Sequence, residues 1–234
     1  MKQIPLALAT DYPTDFDNYI PGENLECLMY LQDAVSRLGQ DVPPPVYLWG
    51  GQGSGKTHLL LAIAHACSAK GLKHGCIDRQ TLSNTLPIDS DCSVVLIDDC
   101  DQLTGEQQAL AFRAFIDAQS YGMWVVAAGA VAPIALEVRE DLRTRLGWGN
   151  VFALKYLSDE ELQAAIWHIG RSRGLSLSQD VLVYIVNHFS RDMRSIMALL
   201  NQLDLYALST KRSITIPLIK TVLQEDGVKP PHSG

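Results

Sequence analysis

The chain has 234 residues, of which 47% are apolar and 19% charged, and a formal charge of −7. That composition excludes a disordered chain and leaves room for one sizeable core or two small domains. The acidic balance argues against a dedicated duplex-DNA binder, which is more often basic. Residues 1–15 carry Pro5, Pro13 and Asp15 and read as extended. Leu25 to Leu38 repeats apolar residues at Leu25, Leu28, Met29, Leu31 and Val35, the spacing of an amphipathic helix. Pro43-Pro44-Pro45 ends that section and feeds a buried strand, Pro45 to Trp49. A helix follows from His58 to Lys70 and stops at Gly71. Gly75 to Asp78 is a short strand candidate. Ser93 to Ile97 is stronger, being β-branched and unbroken by polar residues, the profile of a parallel strand covered on both faces. Thr104 and Gln107 form a capping box for a helix to Tyr121, with Gly122 as its stop. Trp124 to Ala128 is the next strand. Strands alternating with helices imply a doubly wound parallel α/β sheet.

From Ser158 the pattern changes. Ser158 and Glu161 make a second capping box, opening a helix that Gly174 breaks after Arg173. Ser178 and Ser190 read as caps of helices reaching Phe189 and Leu208, and Ile216 to Leu223 makes a short fourth. The expected organisation is an extended peptide over 1–12, an α/β domain over 13–154, a small all-helical domain over 155–226 and a disordered tail over 227–234.

Gly50-Gly51-Gln52-Gly53-Ser54-Gly55-Lys56-Thr57 fits G-x-x-x-x-G-K-[ST] between a strand and a helix. Its glycines permit positive φ and let backbone N–H groups converge on phosphate. The following helix adds the positive end of its dipole. Lys56 is expected at the β- and γ-phosphates and Thr57 on Mg²⁺. The motif therefore implies a bound nucleotide with Mg²⁺. Val94 to Asp99 is an apolar strand ending in two acids, and ligands of open parallel sheets sit beyond the strands' carboxyl ends. Asp98 is placed to hold Mg²⁺, and Asp99 to orient or deprotonate a water.

Cys27, Cys67, Cys76, Cys92 and Cys100 form no C-x-x-C pair and are odd in number, as scattered core thiols in a reducing compartment are. With the histidines equally dispersed, no further metal site is expected. No apolar run approaches the ~20 residues of a membrane span, and no signal peptide is visible. The expectation is a cytoplasmic protein with no membrane partner.

A P-loop sheet followed by a helical lid resembles the AAA+ ATPases. Asp15-Phe16-Asp17-Asn18-Tyr19-Ile20-Pro21-Gly22 resembles the "FDNF..G" opening segment of the bacterial replication initiator DnaA and its relatives. Asp141 to Gly149, with Arg145-Leu146-Gly147-Trp148-Gly149 at its end, resembles their "SR[LF].WG" element, and Arg191-Asp192-Met193-Arg194 their lid arginine motif. DnaA also carries a C-terminal helix-turn-helix domain, for which this sequence leaves no room after the lid. Gln3-Ile4-Pro5-Leu6-Ala7-Leu8 is similar to the Q-h-x-L-x-L clamp-binding hexapeptide. Together these features resemble the Hda family, the DnaA-homologous regulatory inactivators. A glutamine amide makes several hydrogen bonds, aliphatic side chains fill an apolar cleft, and Pro5 keeps such a peptide extended at low entropic cost.

The resemblance implies roles for single residues. Arg145 would be an arginine finger acting in trans, a device worth ~10³–10⁵ in rate; Arg143 is its rival. Arg194 would be the lid's phosphate sensor, with Arg191 adjacent. Tyr19 and Ile20 would line the adenine pocket, although apolar core packing is an equal reading, and His58 would join the loop residues there. Gln3, Ile4, Leu6 and Leu8 would bind the sliding clamp, the β subunit of DNA polymerase III. The implied partners are that clamp, DnaA and a second copy in a homo-oligomer, with DNA reached only through the clamp. The implied function is to promote hydrolysis of DnaA-bound ATP on the DNA-loaded clamp and so repress re-initiation. The alternatives are a stand-alone AAA+ ATPase or helicase-loader-like remodelling factor, and a pure clamp adaptor. One departure bears on them: Ala127-Ala128-Gly129-Ala130 lacks the polar sensor that usually follows the fourth strand, which weakens the case for efficient hydrolysis by this chain.

Overall fold

The computed structural model describes residues 14–82, 88–189, 193–210 and 214–225. These fall into two compact units, one ending at Lys155 and one beginning at Tyr156. The first contains α1 (Leu25–Arg37), β1 (Val46–Trp49), α2 (Lys56–Ala69), β2 (Lys73–Ile77), β3 (Cys92–Ile97), α3 (Gly105–Tyr121), β4 (Trp124–Gly129), α4 (Glu140–Leu146) and β5 (Asn150–Ala153). The strands form one sheet in the order β2-β3-β4-β1-β5, and every pairing is parallel.

Side chains leave alternate faces of a strand, and the two cores follow that period. Val46 and Leu48, Val94 and Leu96, and Trp124, Val126 and Ala128 pack with Leu31 of α1 and Leu59 and Ile63 of α2. Tyr47, Val95, Ile97, Val125 and Ala127 pack on the other face with Phe115 of α3 and Leu142 of α4. β4 is buried along its whole length, which explains its run of small and β-branched residues. β5 lies at an edge, exposed at Val151 and Ala153 and half-buried at Asn150 and Phe152.

Local chemistry sets the helix ends. Thr104 Oγ1 accepts from Gln107 N at 3.4 Å, and Gln107 Oε1 accepts from Thr104 N at 3.0 Å. Such a cap is worth about 1 kcal/mol. Gly122 closes α3 in the left-handed conformation at φ 71°. α2 begins at Lys56, two residues before the expected His58, because the phosphate-loop motif runs directly into the helix.

The structure adds α4 and β5, which the sequence pattern does not announce. Gly149 makes their junction possible: a Cβ there would lie 1.7 Å from the Pro45 carbonyl oxygen. The chain passes against that backbone so that Asn150 N donates to Pro45 O at 2.9 Å and starts the β1–β5 pairing. The extended reading is corrected at Asp15, where the chain turns. Asp15 Oδ1 accepts from Asn18 N at 2.9 Å and from Asn18 Nδ2 at 2.8 Å.

The second unit consists of α5 (Asp159–Ser172), α6 (Gln179–His188), α7 (Met193–Thr210) and α8 (Ile216–Glu225), with no strand among its described residues. Ser158 caps α5 through a capping box with Glu161. Gly174 takes φ +75° where the helix ends. Leu162, Ile166, Ile185, Leu200, Leu203 and Ile219 are fully buried in it. Ser178 precedes α6 without a side-chain cap bond. Ser190, the peptide 1–12 and the tail 227–234 lie outside the described residues. The fold class is α/β, a doubly wound parallel sheet followed by a small all-helical domain.

Candidate functional site

The loop from β1 to α2 is shaped by its glycines. Gly53 and Gly55 take φ +87° and +94°, where a side chain is strained. A Cβ at Gly50 would lie 2.6 Å from Leu154 O, and one at Gly55 would lie 2.8 Å from Tyr19 Cε2. The loop therefore presents bare backbone at the start of α2, where the helix dipole places about half a positive charge. Such a cradle fits phosphate.

Lys56 Nζ donates to the carbonyls of Gly50 and Gly51, at 2.7 and 2.9 Å. Burial lowers its pKa, and the carboxylates of Asp98, Asp101 and Asp99 oppose that shift. Thr57 Oγ1 donates to Asp98 Oδ2 at 2.8 Å. The two residues expected on Mg²⁺ are thus brought together from α2 and from the end of β3. Among the described residues no group of three or more His, Cys, Asp or Glu could hold a metal alone. A hydroxyl beside one carboxylate instead suits a hard cation that keeps water and phosphate oxygens as its other ligands.

Asp98 Oδ1 accepts from Asp99 N at 2.9 Å. Asp99 takes φ +49°, the one positive value at a non-glycine among the described residues. Non-glycine residues in that region cluster at functional sites. Burial and then the neighbouring Asp98 raise the Asp99 pKa, and Arg79 Nε at 3.8 Å counters them. Arg79 is not legible in the sequence pattern, because its partner lies 20 positions away at the end of the neighbouring strand.

Two further residues reach the end of β4. Asp101 Oδ1 accepts from Ala130 N at 2.7 Å. Tyr47 donates its hydroxyl proton to Val131 O at 3.0 Å and fills the volume beside Gly129, where a Cβ would lie 2.2 Å from the Tyr47 oxygen. Tyr47 of β1 therefore leaves no room for a side chain at Gly129.

Tyr19 is buried and meets the His58 ring edge-on at 5.3 Å; Ile20 is half-buried. His58 Nε2 lies 2.8 Å from Asp15 O. Burial lowers the His58 pKa, so the neutral ring donates its Nε2–H to that carbonyl. The turn at Asp15 is thereby fixed to the first turn of α2.

Arg145 lies on α4 with its guanidinium 4.1 Å from the Trp148 ring centroid, and its Nη1 donates to Gln119 Oε1 at 3.4 Å. Arg143, two positions earlier, projects from a different side of the helix. Arg194 lies in α7, but its side chain is outside the described set, as are Arg191 and the clamp-peptide residues Gln3, Ile4, Leu6 and Leu8.

Comparison with known proteins agrees with this geometry. Residues 159–223 match the family model of the Hda lid domain, and residues 9–75 match that of the bacterial DnaA ATPase domain. Domain III of the replication initiation protein DnaA from Thermotoga maritima is 21% identical with a TM-score of 0.76, over 94% of this chain and 99% of that one. AMPPCP-bound DnaA from Aquifex aeolicus is 20% identical with a TM-score of 0.72, over 92% of this chain and 71% of that one. The RuvB Holliday junction branch migration motor of Thermotoga maritima is 18% identical with a TM-score of 0.67, over 91% and 72%. The structural likeness is one of fold, and the two family models narrow it: this chain is an Hda/DnaA-like AAA+ protein.

Proposed function

We propose that this chain is an adenine-nucleotide-binding regulator that promotes hydrolysis of DnaA-bound ATP while docked on the DNA-loaded sliding clamp. In this reading Gly50 to Thr57 and the start of α2 hold the phosphates of ADP or ATP. Thr57 and Asp98 hold Mg²⁺, which when bound neutralises phosphate charge. Tyr19, Ile20 and His58 flank the base, and Arg194 serves as a phosphate sensor. Gln3, Ile4, Leu6 and Leu8 dock on the clamp. Arg145 is presented to the nucleotide of DnaA, where water attacks the γ-phosphorus and the β–γ bridging oxygen leaves with the bond's electron pair. The guanidinium fork stabilises charge on the transferring group, which a lysine would do less well.

The observation that carries the nucleotide reading is the Thr57–Asp98 hydrogen bond of 2.8 Å beside a loop that accepts only glycine at Gly50 and Gly55. The AMPPCP held by the Aquifex aeolicus relative supports it. Calorimetric titration of the purified chain with ADP and ATP, with and without Mg²⁺, tests it. Lys56→Ala is expected to weaken binding by at least about tenfold, as loss of a charge-assisted contact does. Equal affinity for the variant and the parent would remove the site. Asp99, held at positive φ beside the metal pair, favours a stand-alone ATPase as the second reading. Phosphate release by the chain alone in the same samples separates the two.

A further inference from the structure

Asn24, Ser54 and Gln107 are the buried polar residues among those described. Ser54 belongs to the phosphate loop and Gln107 to a capping box, which leaves Asn24 to be explained. It stands at the cap position of α1, where an asparagine side chain ordinarily accepts from the first turn. Here it makes no cap bond. Its amide goes instead to one residue far along the chain. Asn24 Nδ2 donates to Lys155 O at 2.9 Å, and Asn24 Oδ1 accepts from Lys155 N at 2.8 Å. Lys155 is the last residue of the first unit.

The peptide plane between Leu154 and Lys155 is held from two sides. Its N–H is the one that Asn24 binds. Its carbonyl lies against the phosphate loop, 2.6 Å from where a Cβ on Gly50 would stand. Leu154 N donates to Trp49 O at 2.7 Å, so the same stretch is fixed to the residue before Gly50. Gly50 O in turn accepts from Lys56 Nζ at 2.7 Å. One peptide plane and one glycine thus stand between Asn24 and the phosphate-binding lysine.

We propose that Asn24 is a positioning residue of the nucleotide site, holding the Leu154–Lys155 peptide so that its carbonyl backs Gly50 of the phosphate loop. The proposal rests on the nucleotide reading above. Opening of the Asn24–Lys155 pair frees that peptide plane to turn and removes the wall behind Gly50. A loop so loosened holds phosphate less well. Reciprocally, bound nucleotide suppresses the opening. The Lys155 amide proton therefore reports on the occupancy of the loop.

Hydrogen exchange at the Lys155 amide, resolved by NMR in the whole chain with and without ADP and Mg²⁺, tests this alongside calorimetric affinity. Nucleotide at about a hundred times its Kd suppresses a state that cannot bind it about hundredfold, so slowing of at least about tenfold is expected in the parent. In Asn24→Ala the amide is expected to exchange fast in both conditions, and ADP affinity to fall about threefold to tenfold, as loss of a buried hydrogen-bonded pair implies. Glu23→Gln removes the exposed ion pair to the same lysine and is expected to change neither readout. A merely structural asparagine would lower the melting temperature without linking this amide to nucleotide. A parent whose Lys155 amide ignores saturating ADP overturns the proposal, whether or not Asn24→Ala folds. Parent affinity in Asn24→Ala, or an equal effect from Glu23→Gln, overturns the role of Asn24 and leaves the nucleotide site standing. A parent that binds no ADP overturns both.

Discussion

Trp148 is 61% exposed, a large apolar ring held in solvent directly under the Arg145 guanidinium. Nothing in the core requires it there. The stack holds a long, flexible side chain near one geometry, which lowers the ordering entropy Arg145 must lose on meeting a partner. Trp148→Ala is therefore expected to leave nucleotide affinity unchanged and to lower stimulation of DnaA-bound ATP turnover about threefold to tenfold, a cost of about 1 kcal/mol. Full stimulation by that variant would leave the stack without a role. Thr57 and Asp98, which the structure joins by a hydrogen bond, could be singled out from sequence because each sits within a local motif, and Arg145 is singled out by its motif in the same way. Arg79, Tyr47 and Asp101 could not, because each acts through a partner that only the sheet brings close. The positive φ of Asp99 is equally invisible in the letters Asp-Asp.

Legibility at the scale of elements follows the same division. The capping boxes at Thr104 and Ser158 close between residues three apart, so their helices are visible in the sequence. The β3 and β4 strands are visible because burial on both faces demands an unbroken apolar run. β5 has four residues with one face exposed, too little pattern to stand out from the loop around it. Its position depends on Gly149, whose missing Cβ admits the Pro45 backbone. The obstructing atom belongs to main chain and cannot swing away as a side chain would. Gly149→Ala is expected to destabilise the first unit by about 3 kcal/mol in urea unfolding, within the range of overpacking costs. A loss below about 0.5 kcal/mol, the size of an ordinary surface substitution, would show that the β1–β5 edge tolerates the change.

For the molecule as a whole, the fold assigns different work to its parts. The sheet unit carries the glycine loop, the Thr57–Asp98 hydroxyl–carboxylate pair and an arginine stacked at the surface. The helical unit matches the Hda lid model over 159–223. Gln3 to Leu8, proposed to dock on the clamp, lie outside the described residues. In the proposed function, the hydrolysis this chain promotes takes place on DnaA. The direct measurement is turnover of DnaA-bound ATP in the presence of DNA-loaded clamp and this chain, with Arg145→Ala and the pair Gln3→Ala, Leu6→Ala as variants. The account predicts stimulation by the parent, a loss of at least about 10²-fold of it with Arg145→Ala, and a loss with the paired variant that excess protein restores. Stimulation undiminished by Arg145→Ala, or none from the parent, would contradict it.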